Sequence, residues 1–108
     1  MWRSIAACAL SLLLPVAGAA AAPDAARQTE LRNLLQQDCG SCHGLTLKGG
    51  LGPALLPADL AGKPRSLLVQ AVRDGRPGTA MPPWGALLSE TDIGWLVDRL
   101  LAGDGVAR

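Results

Sequence analysis

Apolar residues fall along this chain in four blocks, each with its own spacing. The first is nearly continuous: after Met1-Trp2-Arg3-Ser4, a run from Ile5 holds Leu10, Leu12, Leu13 and Leu14 at its centre and fades into small residues with Ala-x-Ala patterns. One basic residue, an apolar middle and a small-residue end are the layout of a secretory signal peptide, with cleavage expected near Ala22. The stretch from Ile5 to Ala22 approaches the length of a spanning helix, but Pro15, Gly18 and the alanine-rich end favour removal over an uncleaved membrane anchor. Cys8 follows Ile5-Ala6-Ala7 with no apolar core before it, which argues against lipid attachment. The chain therefore reads as a leader over residues 1–22 and one domain over 23–108.

The other blocks recur in threes and fours. From about Asp24 to Cys42, residues Ala25, Gln28, Leu31, Leu34 and Leu35 keep helical spacing, with Leu31, Leu34 and Leu35 as the apolar stripe. A second helix is expected from about Pro64 to Asp74. Pro64 suits the first helical position, Leu67, Leu68, Ala71 and Val72 share a face, and Gly75 can end the helix in the left-handed conformation. The third is the clearest: Ser89 as N-cap, Glu90, Thr91 and Asp92 in the first turn, then Ile93, Leu96, Val97, Leu100 and Leu101, and Gly103 as the stop.

Between the helices, Gly44 to Gly62 and Gly75 to Leu88 show no period. Nothing alternates with period two over a useful length, so no sheet is expected. Irregular loops this long are unusual in a small domain unless they are functional. The expectation is an all-α domain whose middle is filled by something other than its own side chains.

Composition sharpens that picture. Without the leader, about 86 residues remain, a size at which a protein core alone gives marginal stability and a cofactor or cross-link commonly helps. Nine basic residues then face nine acidic ones, which gives no reason to expect nucleic acid or an anionic membrane as partner. Stable insertion in a membrane is not expected once the leader is gone. Cys39 and Cys42 are the cysteines that remain, and they enter an oxidising compartment.

Those cysteines lie in Gln37-Asp38-Cys39-Gly40-Ser41-Cys42-His43, together with the chain's single histidine. A redox dithiol needs its pair at the start of a helix that follows a strand, where the dipole lowers the thiol pKa; here the pair ends a predicted helix and no strand precedes it. A zinc site needs three or four ligands, and adjacent Cys and His side chains rarely both reach one tetrahedral ion. Cys-x-x-Cys-His is instead the signature of covalent c-type haem attachment. Two residues between the thiols match the separation of the two vinyl groups of one haem, and the next residue brings an imidazole under the iron.

With His43 on one side of the iron, Met81 is the leading candidate for the other, because it is the only methionine left after the leader is removed. It stands in Gly78-Thr79-Ala80-Met81-Pro82-Pro83-Trp84, where glycine and prolines direct the backbone rather than fill a core. Simple packing of Met81, an open iron, and ligation by Lys48 or Lys63 are the alternatives. A six-coordinate His/Met iron has no vacancy for substrate and transfers electrons rather than performing chemistry on small molecules.

The succession CGSCH, Gly52-Pro53, Met81-Pro82-Pro83 and Leu88-Ser89-Glu90 before a leucine-rich last helix resembles the small class I bacterial cytochromes c over nearly all of the mature chain. DCGSCHGLTLKGGLGPAL and GRPGTAMPPW look most like the mono-haem cytochromes encoded beside haem-cd nitrite reductase in denitrifying bacteria. The resemblance implies three to four helices around one covalent haem. Cys39 and Cys42 would form the thioethers, His43 and Met81 would ligate iron, and the carbonyl of Pro53 would accept the other imidazole proton.

It also implies that Leu31 and Leu35 cross Leu96 and Leu100, although the family usually has a small glycine and aromatic residues there. Here leucines and Arg99 stand at those places. Arg76 and Trp84, and more weakly Arg73, are candidates to bind a haem propionate; Trp95 receives no role.

The function this implies is a periplasmic one-electron carrier whose docking face is formed by the loop beside Cys42 and the Met81 loop. Its near-zero charge suggests apolar encounters over a small interface. The partner would be nitrite reductase or an upstream electron donor. An accessory role in maturing the reductase's specialised haem is the alternative, and a ligand-binding sensor or peroxidase is a more distant one.

Overall fold

Residues 9–14 and 22–106 are described in a computed structural model of the chain. Leu10, Leu12, Leu13 and Leu14 of the expected leader are exposed; the rest of that segment, up to residue 21, lies outside the described residues. No helix among the described residues is long and apolar enough to cross a membrane.

Helix α1 spans Ala25–Leu34. It begins because Asp24 is extended and its Oδ1 accepts a 2.8 Å hydrogen bond from the Arg27 amide, satisfying one donor of the first turn. The regular helix expected to continue to Cys42 is interrupted after Leu34. Leu35–Cys39 forms a π-helical turn in which the Gly40 amide donates to the carbonyl of Leu35, five residues back. Regular geometry then resumes in α2, Gly40–His43. The stripe of Leu31, Leu34 and Leu35 gave no sign of the wider turn, because these residues lie before it or at its first position.

Gly44, at φ 93°, ends this composite helix. The chain doubles back under it: Leu47 donates to Gly44 O at 2.9 Å, Gly49 to His43 O at 2.8 Å and Gly52 to Cys42 O at 2.7 Å. Leu47 adopts φ 60°, uncommon for leucine, and is held there by its buried side chain and by the Leu55 amide on its carbonyl. Within the stretch read as irregular lies a single helical turn, α3, Pro57–Leu60. The Leu56 amide donates to Asp59 Oδ2 at 3.1 Å, and Leu60 is delivered to the core.

Helix α4 covers Arg65–Asp74. Pro64 is its extended N-cap rather than its first helical residue, and Gly75 leaves it at φ 67°, ψ −173°, so the chain extends at once instead of entering the left-handed helical region. Leu68 and Val72 are half-buried as expected, while Leu67 is 50% exposed. Helix α5, Glu90–Ala102, matches its expected limits. Ser89 Oγ accepts from the Asp92 amide at 3.0 Å, Asp92 Oδ2 accepts from the Ser89 amide at 3.2 Å, and Gly103 closes the helix in the left-handed conformation.

Among the described residues there is no strand, and the fold is the all-α one expected. α5 is its centre and packs against α1, α3 and α4. Leu31 and Leu35 join Ile93, Leu96 and Leu100 in one core with Leu47, Leu60 and Leu88. Arg27 reaches Asp92 at 2.9 Å and Arg65 grips Asp98 at 2.7 Å, tying α1 and α4 to α5. Gly94 makes room for the second contact, since a Cβ there would stand 2.7 Å from Arg65 Nη2.

The unusual Arg99 also finds its explanation. Its guanidinium carbon and that of Arg32 lie 5.6 and 5.2 Å from the centre of the Trp95 ring, within cation–π range. Asp104 accepts from Arg32 through its carbonyl at 2.8 Å and from Arg99 through its carboxylate at 2.9 Å. Trp95 thus joins α1, α5 and the residues after it, a role its position beside the apolar stripe did not reveal.

Candidate functional site

The π turn and α2 place Cys39, Cys42 and His43 within one short helical stretch. All three side chains are half-buried, and Cys39 packs against the core. The two thiols are not bridged to each other. Burial pushes the Cys39 thiol up to about 11, and the neighbouring Asp38 carboxylate adds to the effect. That is the reverse of the depressed value a redox dithiol needs. Among the described residues no three His, Cys, Asp or Glu side chains converge as a metal cluster, which leaves the zinc reading without its remaining ligands.

The loop beneath α2 fixes the imidazole. His43 Nδ1 stands 2.7 Å from the carbonyl oxygen of Pro53. Because a proline carbonyl can only accept, Nδ1 is the donor in this bond, and Nε2 is the ring nitrogen left to meet a metal. Gly52 lies against the ring: a Cβ there would be 2.9 Å from both Cε1 and Nδ1. Gly50 lies equally close to the backbone, with a Cβ position 2.8 Å from Cys42 O. Gly50 and Gly52 are thus there for close approach, and Gly52 was legible only as a partner of Pro53.

On the other predicted side, Met81 is half-buried in a loop with a defined backbone. Its carbonyl accepts from the Arg76 amide at 3.2 Å, and its amide donates to Thr79 Oγ1 at 3.3 Å. Gly75 forms the floor. A Cβ on it would meet Met81 O at 2.7 Å, Pro82 C at 2.8 Å and Pro83 N at 2.9 Å. Read from the sequence only as a helix stop, Gly75 is also the residue that lets the Met-Pro-Pro backbone lie on the end of α4.

The Trp84 amide donates to Val72 O at 2.9 Å, and its half-buried side chain packs against the core, as do Leu68, Val69 and Val72. Arg76 is exposed and makes no ion pair among the described residues, so its guanidinium is available to an anionic group. Arg73 is already engaged by Asp74 at 3.1 Å and Glu90 at 3.3 Å, the ordinary helix-end pairing.

The donor set fits a c-type haem. Two thiols two residues apart suit two thioethers, an imidazole with Nε2 free suits an iron ligand, a lone thioether stands in a fixed loop, and the flanking side chains of α4 are apolar. Residues 26–98 match the family described as cytochrome C oxidase, cbb3-type, subunit III. The chain is 63% identical to cytochrome c55X of Pseudomonas aeruginosa over 105 residues, 96% of this chain and 86% of that protein.

Among solved structures, c-type cytochrome NirC matches with a TM-score of 0.77 and 65% identity, covering 79% of this chain and all of that one. Dihydro-heme d1 dehydrogenase NirN in complex with DHE matches with a TM-score of 0.60 and 33% identity, over 64% of this chain and 15% of that one. Motif, all-helical fold and relatives agree: this chain belongs to the c-type cytochromes, electron carriers rather than enzymes, with a covalently attached haem and its iron.

Proposed function

We propose that this chain is a periplasmic one-electron carrier of the nitrite reductase system, with haem joined to Cys39 and Cys42 and iron held between His43 Nε2 and Met81 Sδ. The observation that supports the reading is the 2.7 Å bond from His43 Nδ1 to Pro53 O, which leaves Nε2 as the ring nitrogen able to meet a metal. The haem, when bound, supplies a one-electron iron couple whose six-coordinate form leaves no site for substrate. The polypeptide orients the imidazole through Pro53 and Gly52, and holds the Met81 backbone on Gly75. Arg76 and Trp84 are the residues we assign to a propionate.

The experiment is an absorption spectrum of the protein exported with its leader, in both redox states and with carbon monoxide added to the reduced form. Covalent low-spin haem that ignores carbon monoxide is the expected result. Colourless protein removes the haem assignment, while carbon monoxide binding removes Met81 from the iron and reopens the sensor or peroxidase reading.

A second reading has one observation behind it, the likeness to a dihydro-heme d1 dehydrogenase. Here the electron accepted at the same site serves maturation of the reductase's specialised haem. Deleting the gene separates the two: a reductase without its second haem supports maturation, and a complete reductase starved of electrons supports supply.

A further inference from the structure

We infer that the π turn at Leu35–Cys39 is a one-residue register device that brings Cys39 and His43 onto the core-facing line of the first helix and turns Cys42 away from it. The inference rests on the assignment of Cys39, Cys42 and His43 to haem. In a regular α-helix, Cys39 would stand about 80° around the axis from Leu31 and His43 about 120°. A turn closed by an i→i+5 bond absorbs one residue, so each later position behaves as though it came one place earlier. Cys39 and His43 then both fall within about 20° of Leu31, while Cys42 swings about 80° to one side.

The surroundings agree with that geometry. Leu31 and Leu35 are 0% and 1% exposed. Cys39 packs on the same core, and His43 meets the Pro53 carbonyl. Cys42 is not part of the core. The residues inside the turn that could be the inserted one, Gln36 and Gln37, are exposed and make no side-chain hydrogen bond among the described residues. Their number matters, not their chemistry.

Two measurements on the exported holoprotein test this. In reduced, isotope-labelled wild type, the through-hydrogen-bond coupling of the Gly40 amide nitrogen should run to the Leu35 carbonyl; coupling to Gln36 overturns the inference. Deletion of Gln37 should lower covalent haem per chain at least tenfold, whereas the length-preserving pair Gln36→Ala and Gln37→Ala should keep it. A deletion variant with wild-type haem content and spectrum overturns the inference, as does loss of haem in the double substitution. If the deletion variant does not accumulate, the Gly40 coupling decides alone. A colourless wild type would instead refute the haem assignment, and the coupling would still report on the turn.

Discussion

Gly52 and His43 are in contact closer than any other residue type would allow: a Cβ on Gly52 would lie 2.9 Å from two ring atoms of the imidazole. The same ring is bonded to the next residue, Pro53, at 2.7 Å. Orientation of the imidazole is therefore set by two consecutive backbone positions. Gly52→Ala should push the ring away from Pro53 and destabilise the protein by about 1–3 kcal/mol, the usual cost of overpacking. Haem content should stay unchanged, because neither cysteine is touched. Redox titration should show a raised midpoint potential, since a weaker Nδ1 bond makes the imidazole a poorer donor; an unchanged potential would mean that the Pro53 bond does not tune the iron.

Gly75→Ala is expected to act on the opposite side. Its positive φ and the Met81, Pro82 and Pro83 backbone atoms at 2.7 to 2.9 Å leave no room for a methyl group. The loop must move. We expect the reduced variant to bind carbon monoxide where wild type does not, with Cys39 and Cys42 still alkylated by haem.

Asp92 provides a pH-dependent test. Arg27 foremost, and Ser89 after it, hold its carboxyl below the usual carboxylate range, although burial opposes them. A carboxylate with a lowered folded pKa stabilises the protein above its unfolded pKa, and that stability is lost as pH falls through the folded value. Asp92→Asn should therefore unfold at lower denaturant than wild type at neutral pH. The gap should close below about pH 4. A gap that persists in strong acid would show that the pairing is not responsible.

Leu31→Ala tests the helix crossing. Leu31 is fully buried in the core shared with α5, and truncation should cost about 2–5 kcal/mol through lost contacts and the cavity left behind. Urea unfolding measures it directly. A cost near zero would mean that the crossing is not the main contact between α1 and α5.

Periodicity and capping made most of the fold legible, for physical reasons that particular residues show. Ser89, Asp92 and Gly103 announced both ends of α5, because caps satisfy local backbone groups and leave a local signature. The π turn left none, since no apolar period runs through Gln36, Gln37 and Asp38. Single-turn α3 was too short to show a period. At the site, residue chemistry singled out Cys39, Cys42, His43 and Met81, and the resemblance singled out Pro53. Gly75 against Met81 is an approach across an irregular loop, and Arg32 against Trp95 joins two separate helices, so no helical period encodes either.

The central position of α5 has a bearing on biogenesis. Arg27 and Arg65 find their carboxylates on this helix, and the buried leucines of α1 and α3 find much of their apolar surroundings there. Its residues are also synthesised after those of α1, α3 and α4. Until they emerge, the upstream segments lack the helix that supplies two of their ion-pair partners and much of their buried apolar surface, so the order of synthesis places the scaffold after the parts it gathers.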